Sequence, residues 1–297
     1  MNPRVFIDVD GEDLFTAAPR LLQFNQARQD KQLVSECQNA ASRSQMTNME
    51  NSQMISTADT HEVSVLTTSI LRELQLESAK LGDEYFYQSL PLCVIDTVFS
   101  INNRYNTVQN VIARYCKHQQ LRQRRLDTAL PPANHQQSLT DFCSLNEKIG
   151  IEGMTAEVYE NRQRTSPRNG ILKSDATYQF AKCLFDQGVN YFQDLSKILD
   201  NAPFDRSILR ISGQKSGLSL TYFWMLAGDE SLIKPDRMIL KYIGRVLNRA
   251  VTRTEAINLL QLVSLNLHST YPFLTPRLLD HEIWKFQKDS KELHQLS

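Results

Sequence analysis

From Glu62 onward, apolar residues recur at intervals of three and four: Val65, Leu66, Ile70, Leu71 and Leu74, then Leu92, Val94, Ile95, Val98 and Phe99. That spacing puts them on one face of an α-helix. Val108, Val111, Ile112 and Tyr115 continue it, followed by Tyr178, Ala181, Cys183, Leu184 and Phe185, and by Leu195, Ile198 and Leu199. Segments 218–226, 238–250, 256–267 and 278–286 repeat the pattern, and no alternation of period two is sustained. The pattern predicts an all-α domain of roughly eight or more helices.

Two connections interrupt the helices. Residues 121–140 contain Arg122, Arg124, Arg125, Pro131 and Pro132; a proline pair stops a helix and adjacent arginines resist burial, so a long loop is expected. Residues 162–170 (RQRTSPRNG) form a second basic turn ending in Asn-Gly. Upstream, residues 25–61 are rich in Gln, Asn, Ser, Met and Thr with no aromatic after Phe24. Such a stretch buries too little apolar surface to offset its ordering entropy. Residues 5–10 alternate weakly and residues 21–24 suit a short helix. The expected organisation is a polar, acidic, partly disordered and irregular extension over residues 1–62, then a helical domain over 63–297, with no internal repeat.

Charge changes this picture. The 33 basic and 33 acidic side chains cancel, yet residues 1–90 carry 7 basic against 13 acidic, leaving 26 against 20 for the remainder. The C-terminal two thirds therefore suit a polyanion. A mean hydropathy of -0.39 and the lack of any run of 18 apolar residues exclude a membrane-spanning helix. The first residues turn acidic where a signal peptide needs an apolar stretch, so an intracellular protein is expected, cytoplasmic if bacterial and otherwise nuclear. Cys37, Cys93, Cys116, Cys143 and Cys183 lack metal-site spacing and read as reduced core thiols. The six histidines show no paired ligand spacing, so neither a metal nor a cofactor is expected.

The most informative stretch runs from Ile208 to Ile239 (ILRISGQKSGLSLTYFWMLAGDESLIKPDRMI). A turn holding Gly213 and Gly217 separates two apolar helices; glycines let another backbone approach, and free N–H groups at a helix start attract an anion such as phosphate. An ordinary corner between helices has the same residues. Lys234-Pro235-Asp236 then opens another amphipathic helix, where proline presets the backbone and aspartate accepts from free N–H groups. By residue type alone, Asp236 reads as a plain helix cap.

Turn, helix and Lys-Pro-Asp together resemble the helix-hairpin-helix GPD superfamily of base-excision DNA glycosylases. That family has a hairpin of the form Leu-Pro-Gly-Val-Gly, a helix, and a Pro-Val-Asp segment whose aspartate is catalytic. Residues 90–101 (LPLCVIDTVFSI) are similar to its early core helix, residues 169–178 (NGILKSDATY) to the segment where a lysine leads the helix before the hairpin, and residues 271–284 (YPFLTPRLLDHEIW) to the end of some members. The resemblance spans about residues 63–290. It implies a helix-hairpin-helix glycosylase-like fold, with Asp236 as the carboxylate that stabilises the oxocarbenium-like sugar and orients the attacking water. Gly213 falls on the first hairpin glycine. Gln214 replaces the apolar residue after it and Lys215 the second glycine, which puts the tight phosphate grip in question. In members that also cut the strand, a lysine stands where this chain has Gly217, so strand cleavage through that position is not expected. The four-cysteine cluster of some members is missing.

A glycosylase must take a nucleotide out of the stack, hold the neighbouring phosphates and present one carboxylate to the sugar. Arg237, Lys241, Arg245 and Arg249 form a stripe opposite Ile239, Ile243, Val246 and Ala250, equally a solvated face or a phosphate-contacting one. Arg104, Arg114, Lys117, Arg122, Arg124 and Arg125 form a second cluster. Among Tyr222, Phe223 and Trp224 at least one must be core. The expected DNA-binding residues are thus Gly213, Lys215, Gly217, Arg237, Lys241, Arg122, Arg124 and Arg125, with Asp236 catalytic. The expected partner is double-stranded DNA with a modified base or abasic site; the extension over residues 1–62 has room for a protein partner. The alternative is a catalytically inactive relative that binds DNA or protein.

Overall fold

The computed structural model describes residues 49–126 and 128–296, and the side chains of residues 60–126 and 128–289. Ten α-helices form among the described residues, with two isolated β-bridges, Tyr87 to Arg124 and Arg164 to Leu172, and no strand. The sequence readings for residues 5–10, 21–24 and 25–48, and for Cys37, lie outside the described residues.

Helix α1 (Met49–Glu73) begins inside the stretch expected to be irregular up to His61. Its C-terminal half buries Val63, Leu66 and Ile70. Once packing holds those turns, extending the helix upstream adds one hydrogen bond for each residue fixed, which is far easier than nucleating it.

The middle of the chain builds one core from α2 (Leu90–Ser100), α3 (Tyr105–Gln119), α4 (Leu139–Gly153), α5 (Lys173–Asp186), α6 (Ala202–Arg210) and α7 (Leu218–Ala227). Helix α2 lies at its centre, with every residue from Leu90 to Phe99 buried, as expected of a helix that is apolar all round. Asp96 is the one charge in it. Helix α5 supports it through Lys173, whose Nζ donates to the carbonyls of Phe99 at 2.9 Å and Ile101 at 2.7 Å, taking up acceptors left over where α2 ends.

Helix α1 joins the C-terminal helices α8 (Arg237–Leu247), α9 (Arg253–Leu267) and α10 (Pro276–Leu296) in a second core of Leu66, Ile70, Ile239, Ile243, Leu260 and Ile283, among others. Both cores lie within the helical stretch expected over residues 63–297. Arg277 of α10 ties them together: its Nη1 donates to the Met225 carbonyl at the end of α7 at 2.6 Å, and its Nε to Glu230 at 3.2 Å. Cys93, Cys116 and Cys143 are buried free thiols and Cys183 is partly buried. No helix among the described residues is long and apolar enough to cross a membrane.

Candidate active site at the seam between the cores

The turn between α6 and α7 closes as a hairpin. Ile211 N–H bonds to the Ile208 carbonyl, Gln214 N–H to Ile211 and Gly217 N–H to Gln214, at 2.9–3.1 Å. Gly213 has φ +86° and a Cβ there would stand 2.4 Å from the Thr165 side chain, so the basic turn at 162–170 packs directly on it. Gly217, φ +74°, precedes the first turn of α7 and offers no side chain to cap it. Gln214 is only 2% exposed. It fills the inward position an apolar residue would occupy, leaving its Oε1 without a hydrogen bond. Lys215 faces solvent. The turn therefore closes with Gln214 inside and Lys215 outside.

Nineteen residues beyond Gly217, Asp236 caps α8. Its Oδ1 accepts from the N–H groups of Met238 at 2.7 Å and Ile239 at 3.3 Å. The segment before it crosses from one core to the other, and two of the groups it meets there, Asp96 and Asp280, were not singled out from the sequence. The Lys234 ammonium stands 3.5 Å from the centre of the Tyr222 ring. Asp280 of α10 accepts from the Lys234 N–H at 2.8 Å. Asp96 accepts from Tyr87 Oη at 2.7 Å, with Tyr222 Oη at 3.5 Å. Burial pushes the Asp96 carboxyl up to about 6, against the lowering pull of the Tyr87 hydrogen bond and Lys234. Burial also raises Asp280 well above the usual carboxylate range, helped by the Asp236 charge. It lowers Lys234, with Asp236, Asp96 and Asp280 opposing.

Next to this cluster lies an aromatic one. His281 and Glu84 approach to 3.7 Å, Tyr105 Oη donates to Glu84 at 3.3 Å, and Trp284 packs on Tyr105 and His281 at centroid distances of 5.5 and 6.0 Å. Burial lowers the His281 imidazole. So many titratable groups taken from water at one seam make it the candidate functional site. Among the described residues no three His, Cys, Asp or Glu converge as metal ligands would.

A family model described as Domain of unknown function (DUF8548) matches residues 64–288. The chain belongs to the DUF8548 family. No curated protein and no solved structure matches it. The DUF8548 match runs from within α1 to within α10, so it takes in both cores, the hairpin and the seam between them.

The basic residues divide differently from expectation. Arg122, Arg237 and Lys241 are exposed. Arg124 and Arg125, expected to resist burial, are instead packed inward. Arg124 lies 4.0 Å from the Tyr87 ring centre and donates to Gln109 at 2.6 Å. Arg125 donates to the Tyr85 carbonyl at 3.3 Å and packs over Phe86 and Phe192. Their long stems cover aromatic surface while the flat guanidinium faces stack, which makes such burial tolerable. Helix α8 ends at Leu247, before the last residue of the expected stripe; Arg245 on it pairs with Glu73, and Arg249 just beyond it pairs with Glu62 at 2.7 Å and Glu255 at 3.1 Å. Tyr222, Phe223 and Trp224 are all buried, and only Tyr222 faces the seam cluster through Lys234 and Asp96. A sequence signal did exist for Asp96, the lone charge in residues 90–99, and for Lys234, two residues before Asp236. Asp280 gave none, because α10 is polar along much of its length.

Proposed function

We propose that this protein binds double-stranded DNA and hydrolyses the N-glycosidic bond of a damaged or modified base, as in intracellular base-excision repair, with the Asp236 carboxylate at the sugar. The observation that supports the reading is that the closed turn between α6 and α7 and the Asp236 cap belong to one stretch of chain, ending at a seam lined by buried acids and a lysine. The start of α7, where Ser216 Oγ accepts from the Leu218 N–H at a long 3.5 Å, and exposed Lys215 suit phosphates. Leu126, 85% exposed on the loop that carries Arg122, Arg124 and Arg125, suits a wedge between bases. Arg124 of that loop packs on Tyr87, and Tyr87 bonds Asp96, so the loop adjoins the seam.

The test is release of free base from duplexes each carrying one modified nucleotide. Wild type should release base from at least one, and Asp236→Asn should be slower by about a hundredfold or more while still folding, since asparagine is an equally good helix cap. Undiminished release by Asp236→Asn would overturn the role of Asp236. A reading as a DNA-binding protein without excision is favoured by one fact, that capping α8 alone accounts for an aspartate at position 236. It expects binding to an abasic duplex with no base released from any substrate.

A further inference from the structure

A net charge of zero hides a positive surface that only the fold assembles. Three stretches of the chain carry basic residues and no acid: residues 97–126 with six, 161–174 with four and 206–228 with three. They are distant in sequence and meet in space. Asn103 and Gln163 exchange side-chain hydrogen bonds at 2.7 and 3.3 Å, which joins the corner between α2 and α3 to the 162–170 turn. Thr165 of that turn lies against Gly213, where a Cβ would stand 2.4 Å from it, which joins the same turn to the one between α6 and α7.

Several cations of these stretches are already engaged. Arg162 pairs with Glu152 at 2.7 Å, Arg164 donates to the Gly170 carbonyl at 2.8 Å, and Arg114 donates to the Tyr159 carbonyl at 2.7 Å. Arg104, Arg168, Arg210 and Lys215 are exposed, and among the described residues none of the four forms an ion pair. Acids at the borders offer them little: Glu160 lies 3.9 Å from Arg114, and Asp175 accepts from Gln179 at 2.9 Å. Four like charges gathered in this way repel one another, so an anionic segment laid on them is favoured.

The chain carries such a segment. Residues 8–13 (DVDGED) put four carboxylates into six positions, the densest acidic run in the sequence, and no basic residue falls between Arg4 and Arg20. Residues 14–48 separate it from the start of α1 at Met49. A link of that length spans up to about 120 Å, against a width of roughly 45 Å for a compact body of about 250 residues, so the whole surface is within reach. The other basic face is partly spent, since Arg245 and Arg249 pair with Glu73 and Glu62 of α1, leaving Arg237 and Lys241.

We propose that Asp8, Asp10, Glu12 and Asp13 dock on the face made by Arg104, Arg168, Arg210 and Lys215, where they stand in for a polyanion and compete with one. Carboxylates meet guanidinium groups through paired, charge-assisted hydrogen bonds, and a tether keeps their effective concentration high. Docking is independent of what the seam does; competition with DNA rests on the proposed reading of the protein as a duplex binder.

The experiment treats the dilute full chain, without DNA, with a water-soluble carbodiimide. The reagent activates a carboxylate, a touching lysine amine attacks it, and an amide forms as the carboxyl oxygen leaves in the urea by-product. Peptide mapping of the monomer should join residues 8–13 to Lys215, and Arg168→Lys, which keeps the charge, should add a second link at 168. No link to Lys215, a link to Lys241 instead, or links only between copies would overturn the docking. A second arm uses the full chain with Asp8→Asn, Asp10→Asn, Glu12→Gln and Asp13→Asn together. Relieved of its internal competitor, this variant should bind a duplex at least about tenfold more tightly at low salt. A link to Lys215 without tighter binding would leave the docking in place and overturn the reading of this face as the one that meets DNA.

Discussion

A buried carboxyl shows how one residue couples stability to the site. Asp96 sits in the apolar centre of α2, and burial raises its pKa to about 6, against about 3.9 for an exposed aspartate. Between those values the folded protein binds the proton and the unfolded chain does not, so this group makes stability fall as pH rises through the window from about 4 to about 6. Asparagine cannot titrate, yet its carbonyl can still accept from Tyr87. Asp96→Asn should therefore flatten the pH dependence of chemical denaturation between pH 4 and 6, as followed by circular dichroism. An unchanged slope would mean that Asp96 stays charged when buried. Lys173 shows the opposite sign: burial lowers its amine to about 8, so above about that pH the folded protein gives up a proton that the unfolded chain keeps, and this group makes stability rise with pH there.

At the scale of elements, the hairpin decides how α6, α7 and the 162–170 turn meet. Gly213 cannot carry a side chain there, both for its φ of +86° and for the Thr165 side chain against it. Gln214 is a different matter. Its Oε1 is buried and unpaired, a loss of about 1–3 kcal/mol wherever it occurs in proteins. Leucine has a similar volume and nothing to satisfy. Gln214→Leu should stabilise the fold by about 1–2 kcal/mol, read as an upward shift in the urea midpoint at constant slope. A destabilised variant would show that the amide has a partner, such as ordered water, in solution. Elsewhere ends are set by familiar local chemistry: Ser138 caps α4 by accepting from the Asp141 N–H at 2.9 Å, and Thr252 with Glu255 forms a reciprocal capping box at the start of α9.

Over the whole molecule, the distribution of cations is more selective than the sequence suggests. Arg124 and Arg125 hold the 121–140 loop against Tyr87, Phe86 and Phe192. Arg245 and Arg249 tie α8 to α1. Arg122, Arg237 and Lys241 remain exposed. If these last three meet phosphates, each replacement by alanine should weaken duplex binding across sequences and reduce the slope of log affinity against log salt by about 1. Arg124→Ala should instead lower thermal stability, because it strips the packing from Tyr87. Fluorescence anisotropy over a salt series separates the two groups, and an unaltered slope for Arg122→Ala would remove that residue from the interface.

The three-and-four spacing of apolar residues was enough to determine the all-α class, the helices from Val65 onward and the capping position of Asp236, because helix periodicity and cap chemistry are local. Cys93 could be read as core for the same reason, and so could at least one of Tyr222, Phe223 and Trp224. Which helices share a core was not readable, since α1 and the helices after Asp236 are far apart in sequence and meet only when their apolar stripes bury one another. Burial of Arg124 and Arg125 was likewise hidden, because it depends on aromatic faces supplied by Tyr87, Phe86 and Phe192. Most of the seam belongs to this second kind. Asp96, Tyr222, Lys234 and Asp280 come from three helices and the segment before α8, and only tertiary packing brings their charges together and changes their proton affinities by removing water.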